Sequence, residues 1–340
     1  MPTTYDFIAQ NKRRTWLLVL LFPITFALLG YALLFGVFAL SEHHSTSSTQ
    51  GYYQTADTPS NSSAIVQQAN QWALTIIPVL WVVAMLWIII SYFTGDKMLL
   101  REAGAIEISK DNQPEIYRLV ENLCITSGLP TPRVYIIDDE SLNAFATGRD
   151  PEHASVALTK GIVKRLERPE LEGVIAHELS HIKNRDIRLM LITVAGISFF
   201  TFLSEVCLRT SLRRSYSRGS KNDSGAQFLL LALGIFFAVY GYLIAPLIRL
   251  AVSRTREYQA DATAALLTRN PSALARALEK ISTDPRVEAL DEHASMAAMC
   301  IANPLGNVSL FSWVSGILAT HPPIEKRIAV LRAMDAEIVH

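Results

Sequence analysis

The sequence predicts an α+β membrane protein: a mainly helical domain with a small antiparallel sheet, joined to about four hydrophobic membrane segments. Three observations lead there. Apolar residues make up 50% of the 340, high for a soluble chain of this length, and they concentrate in four runs. Short strand-like stretches occur together between residues 132 and 159. A His-Glu-x-x-His motif, His177-Glu-Leu-Ser-His181, lies in a helical pattern just after them. The formal net charge is zero, so nothing points to nucleic acid as a partner.

Trp16 to Leu40 carries no charged residue and is long enough to span a bilayer. Trp72 to Phe93 is a second uncharged run; Leu189 to Val206 and Phe228 to Ile248 are the third and fourth. The first run is too long for the core of a signal peptide and is read as a retained anchor. Lys12, Arg13 and Arg14 precede it and place the N-terminus inside. Ser41 to Gln71 contains no Lys or Arg, which makes it an outer loop, and Lys97 and Arg101 mark the return to the inside. Residues 97 to 186 are therefore expected in the cytoplasm. Between the third and fourth runs stand Arg209, Arg213, Arg214, Arg218 and Lys221. If both runs cross fully, these cations lie outside, against the charge rule; a hairpin that enters without crossing is the other arrangement.

The expected organisation is thus a membrane region over 1–96 and a first domain part over 97–187. A membrane hairpin over 188–250 and a second domain part over 251–340 complete it. Within the first part, Ile116, Leu119, Val120 and Leu123 recur at helical spacing after Pro114, and Gly128 ends that helix. Pro132 to Ile137, Asn143 to Gly148 and Ala154 to Thr159 read as strands separated by turn-prone residues. The three cysteines are odd in number and widely spaced, so neither a disulfide framework nor a thiolate metal site is expected.

Next, Pro169 with Glu170 and Glu172 opens a helix, acids in its first turn. Leu171, Val174, Ile175, Leu179 and Ile182 give it a buried stripe. On such a helix His177 and His181 stand one turn apart and can grip one metal ion. Two imidazoles suit zinc, and Glu178 beside the first is placed as a general base toward water. A hydrolytic zinc site takes three protein ligands, so a third is owed from elsewhere. After the fourth apolar run, Glu257 and Asp261 share one face of an alanine-rich helix. Glu257 can complete the ligand set, and Asp261 can accept the spare N–H of a ligand histidine. The same acids also suit an exposed face paired with Arg254 and Arg256. Sequence spacing alone leaves both readings open.

His177-Glu-Leu-Ser-His181 and Arg256-Glu-Tyr-Gln-Ala-Asp261, separated by two apolar runs, resemble the HtpX family of membrane zinc endopeptidases. Asn143-Ala-Phe-Ala-Thr-Gly148 upstream and Thr320-His321-Pro-Pro323 downstream match that family's pattern in the same order. The resemblance implies a zincin-type, gluzincin-like cytoplasmic domain in the bacterial inner membrane, with one Zn2+ per chain held by His177, His181 and Glu257. It implies Glu178 as catalytic base, Asp261 in support of the ligands, and His321 near the cleft, orienting substrate or stabilising the oxyanion, with Arg327 a weaker candidate for that role. It also implies that Asn143, Ala144 and Phe145 lie on an edge strand that pairs with an extended substrate backbone. The expected partners are protein or peptide substrates, above all misfolded membrane proteins, and the lipid bilayer. Two other functions fit parts of the pattern: a CAAX-type prenyl protein peptidase, which shares the two zinc motifs, and a non-catalytic zinc-containing adaptor or transporter. A transporter would be expected to carry charge within its spans, and the first two runs hold none.

Overall fold

The helix that carries the histidines is held at both ends by its own sequence. In the computed structural model, which describes residues 61–216, 230–240, 254–283 and 322–338 with Arg13, Ile24, Ala27, Gly30 and Tyr31, that helix is Arg168–Lys183. Pro169 occupies its first turn, and the Glu167 amide donates to Glu170 Oε2 at 2.9 Å, closing a capping box. At the other end Arg185 adopts a left-handed φ of 58°, which breaks the chain direction before the next helix starts at Asp186.

In chain order the helices are α1 (Asn61–Glu102), α2 (Pro114–Ser127), α3 (Lys160–Arg165), α4 (Arg168–Lys183) and α5 (Asp186–Tyr216). They continue as α6 (Leu230–Tyr240), α7 (Arg254–Thr268), α8 (Pro271–Ile281) and α9 (Ile324–Ile338). The strands are β1 (Ala105–Ile108), β2 (Arg133–Ile137), β3 (Ala144–Gly148) and β4 (Ala154–Thr159). α2 ends as its sequence predicts, with Gly128 at φ 69° and its amide turned back onto the last carbonyls of the helix.

The sheet corrects one expectation. Among the described residues it has four strands, not three, in the order β1-β2-β4-β3, and it is mixed, because β2 and β4 run parallel. β3 and β4 form an antiparallel pair joined through a short helical turn, where Asp150 Oδ1 accepts from the His153 amide at 2.9 Å. β4 thereby enters between β2 and β3, and residues 138–143 must cross its end. Thr159 fastens that crossing: its hydroxyl donates to Ser141 O at 2.7 Å and receives the Asn143 amide at 3.1 Å. Gly161 makes room for it, since a Cβ there would sit 2.0 Å from Glu140 O.

Contacts divide the chain into two units. One contains the described parts of Ile90–Ile197 and Leu243–His340. Its core joins Val120 and Cys124 of α2, Val134 and Val156 of the sheet, Val174, Ile175 and Leu179 of α4, and Leu274 and Leu278 of α8. Gly173 lets α8 approach α4 closely, with Leu274 only 3.1 Å from where a Cβ would be. Lys280 Nζ and Arg276 Nε reach the buried Glu170 carboxylate at 2.7 and 3.6 Å, tying α8 to the start of α4. The last turns of α1 join this unit through a 2.7 Å ion pair between Asp96 and Arg133.

The other unit contains the described parts of Trp16–Ile89 and Ser198–Tyr242. There Phe200 meets Tyr240 edge to face at 4.5 Å, and Ser204 Oγ donates to Gly234 O at 2.9 Å. Among the described residues, two helices are long and apolar enough to cross a membrane, over Ala73–Glu102 and Asp186–Leu212. The first leaves Val79, Val82, Leu86 and Ile90 exposed at helical spacing. Of the other two expected segments, Trp16 to Leu40 lies almost wholly outside the described residues, and the fourth is described only as the short apolar helix Leu230–Tyr240.

Candidate metal centre

α4 brings His177, Glu178 and His181 into the interior of the first unit, where all three side chains are buried. The two imidazoles meet edge to face, ring centroids 4.8 Å apart, with their Nε2 atoms 3.2 Å from one another. α7 crosses beside α4 and delivers Glu257 to the same point. Its Oε2 lies 3.7 Å from His177 Nε2, and its Oε1 lies 3.8 Å from His181 Nε2. The three donor atoms all fall within 4.8 Å of one another. Glu257 is 1% exposed, so the exposed-face reading of this acid is excluded. Arg256 bonds Asp186 instead, and the side chain of Arg254 is outside the described ones.

The outer nitrogens define the tautomers. His177 Nδ1 lies 3.0 Å from Asp261 Oδ1, and His181 Nδ1 lies 3.0 Å from Asp186 Oδ2. A carboxylate accepts only, so each Nδ1 carries the proton and each neutral ring turns a lone pair at Nε2 toward the other. Two lone pairs at 3.2 Å beside a carboxylate repel unless a cation or proton stands among them. The charge balance agrees. Among the described residues, Glu178, Glu257, Asp261 and Asp186 are all buried here with only Arg256 and Arg327 as fixed cations, leaving two negative charges in excess. That matches a divalent ion, and two imidazoles with one carboxylate suit zinc.

Arg327, from α9, is fully buried and binds Asp261 through two hydrogen bonds, Nε to Oδ2 at 2.8 Å and Nη2 to Oδ1 at 2.7 Å. Its Nη1 also lies 3.6 Å from Glu257 Oε2. Burial works against the Asp261 charge, but the Arg327 guanidinium and the His177 contact outweigh it and bring its pKa down to about 2. For His181 without metal, burial again opposes the charge. The hydrogen bond to Asp186 and the Glu257, Asp186 and Glu178 carboxylates prevail, and its pKa rises to about 9. The apo site thus takes a proton where a metal would otherwise stand.

The site residues expected from sequence fall into three groups. His177, Glu178, His181, Glu257 and Asp261 come together in one buried cluster. Asn143, Ala144 and Phe145 are buried at the head of β3, the edge strand, which packs against α4. His321 lies outside the described residues. Three participants were not legible as such. Asp186 follows His181 by five residues across the α4–α5 turn, and an acid just past the motif helix is the one signal that pointed to it. Arg256 opens the second motif, but spacing suggests for it only a helical pair with the acids, and Arg327 is expected beside His321 rather than on Asp261, where the structure puts it.

A metal-ligand cluster on one helix, closed by a glutamate from a second and buttressed by carboxylates, defines a metallopeptidase-type centre. The family model and the sequence relatives agree. The family model "Peptidase family M48" matches residues 110–335. A "Protease HtpX homolog" of Bacteroides fragilis is 40% identical over 324 residues, covering 95% of this chain and 96% of its own. Another, from Thermoanaerobacter pseudethanolicus, is 37% identical over 334 residues, with 98% of each chain covered. Among solved structures, that of S. mikatae Ste24p is similar with a TM-score of 0.43 and 18% identity, over 79% of this chain and 65% of the other, just under two thirds of its length. The chain belongs to peptidase family M48, as an HtpX-type metalloprotease of that family.

Proposed function

We propose that this metalloprotease is a zinc endopeptidase of the bacterial cytoplasmic membrane that cleaves unfolded or misfolded membrane proteins at exposed cytoplasmic segments. The observation that carries the chemistry is the buried triad His177, His181 and Glu257, both histidines held at Nδ1 by carboxylates, next to Glu178. Zinc bound by the triad would supply a Lewis acid that polarises a carbonyl and makes water acidic near neutral pH. The protein does the rest. Glu178 takes the proton of the attacking water and returns it to the departing amine. Asp261 and Arg327 keep His177 turned toward the ligand position.

The membrane assignment is supported by α1, whose uncharged run exposes an apolar stripe that water would solvate poorly. The substrate class is supported by β3. This strand is the edge of the sheet beside α4, and an edge strand can accept only a chain that is itself extended. Asn143, Ala144 and Phe145 are assigned to that pairing and His321 to substrate orientation or the oxyanion. The test is cleavage by protein purified in detergent. Unfolded casein should be cut in a chelator-sensitive manner and a tightly folded soluble protein of similar size left intact. Equal cleavage of both, or activity indifferent to chelator, would overturn the reading.

A further inference from the structure

The two histidines are held in the same manner by groups from different parts of the chain. His177 Nδ1 rests on Asp261, which Arg327 grips. His181 Nδ1 rests on Asp186, and Arg256 Nη1 donates to the other oxygen of Asp186 at 3.0 Å. Asp186 is 2% and Arg256 4% exposed. Neither belongs to the two motifs' ligands or base, yet together they form a second His–Asp–Arg chain behind the site.

We infer that Asp186, locked by Arg256, is a positioning residue for His181: it fixes the Nδ1–H tautomer and the ring angle that aim Nε2 at the metal. The inference rests on the zinc reading above. A carboxylate behind a ligand imidazole fixes its tautomer and raises its basicity toward the metal. Asp186 can do so only because its own place is determined. It is the first residue of α5, reached through the left-handed Arg185, and Arg256 stands one residue before the ligand Glu257 on α7. Arg256 thus couples the start of α5 to the helix that supplies the third ligand. Among the described residues its Nε and Nη2 have no hydrogen-bond partner.

The test compares Asp186→Asn and Arg256→Gln with Asp96→Asn. The last breaks another Asp–Arg pair, with Arg133 at 2.7 Å, that touches no ligand. Zinc affinity is measured on detergent-purified protein by competition with a chromophoric chelator. The cobalt-substituted absorption spectrum and the melting temperature of the metal-free form are recorded beside it. Asp186→Asn should bind zinc about 10–100-fold more weakly and shift the cobalt bands, and Arg256→Gln should do the same to a smaller degree. Asp96→Asn should leave both readings at wild type. The positioning role is overturned if Asp186→Asn and Arg256→Gln keep wild-type affinity and cobalt bands, or if Asp96→Asn changes them equally. Should Asp186→Asn fail to fold, Arg256→Gln, which leaves the carboxylate in place, decides alone. Failure of wild type to bind one zinc tightly would instead sink the zinc reading itself.

Discussion

Arg327 and Asp261 meet through two parallel hydrogen bonds of 2.8 and 2.7 Å, with neither side chain open to solvent. The pair ties α9 to α7 and both to His177, so the last described helix is part of the metal centre rather than an appendage.

Removing the cation therefore costs more than one contact. Arg327→Met leaves the Asp261 and Glu257 charges buried without their counter-ion, and should lower stability by about 3–5 kcal/mol. Lys164→Ala, which breaks an exposed pair with Glu140, should cost about 0–1 kcal/mol. Denaturant melts of the metal-free protein check both, and equal effects would contradict the buried role of Arg327.

Glu178 is assigned to proton transfer rather than binding. Glu178→Gln keeps the shape but cannot accept the proton, so it should retain zinc while losing activity by about 100-fold or more. Activity within tenfold of wild type at full zinc occupancy would remove Glu178 from the mechanism.

Glu257 and Asp261 should separate by role. Glu257→Ala removes a ligand and should lower both zinc content and activity. Asp261→Ala acts behind His177 and should weaken zinc binding by about 10–100-fold without necessarily emptying the site. Elemental analysis after dialysis against a weak chelator distinguishes them; a Glu257→Ala protein that keeps wild-type zinc would require another third ligand.

The metal-free site should respond to pH in a defined direction. His181 has a folded pKa of about 9, above its ordinary value of about 6.5. Its contribution to apo stability is therefore fully present below about pH 6.5 and is lost as pH rises through 9. The melting temperature of the apo protein should fall across that window, whereas the zinc-loaded protein, with a neutral ligand imidazole, should not show that fall. Zinc uptake at pH 7.5 should also release about one proton per chain from His181, readable in weak buffer with an indicator dye. Uptake without proton release would show that the apo imidazole is already neutral.

The orientation proposed from the basic residues makes a separate prediction. In cells, a cysteine reporter placed between Ser45 and Ser60 should react with an impermeant reagent, and one near Lys110 should be protected. The opposite pattern would put the metal centre on the outer side.

The sequence alone was enough for whatever depends on near neighbours along the chain. The start of α4 at Pro169, its buried stripe, the His177–His181 spacing, the stop of α2 at Gly128 and the apolar runs all follow from helical periodicity and caps. The pairing of Glu257 with Asp261 on one face was visible for the same reason, but whether that face was buried was not. Only the tertiary structure decided that, by crossing α7 over α4. It also decided that β2 and β4 run parallel, since alternation marks a strand but not its neighbour, and the arrangement depends on residues 138–143 crossing at Gly161. The partners of the histidines were hidden likewise. Asp186 reaches His181 across the turn at Arg185, and Arg327 reaches Asp261 from 66 residues away. A buried charge is stabilised by whatever the fold brings within about 3 Å, and that distance is set by packing, not by sequence separation.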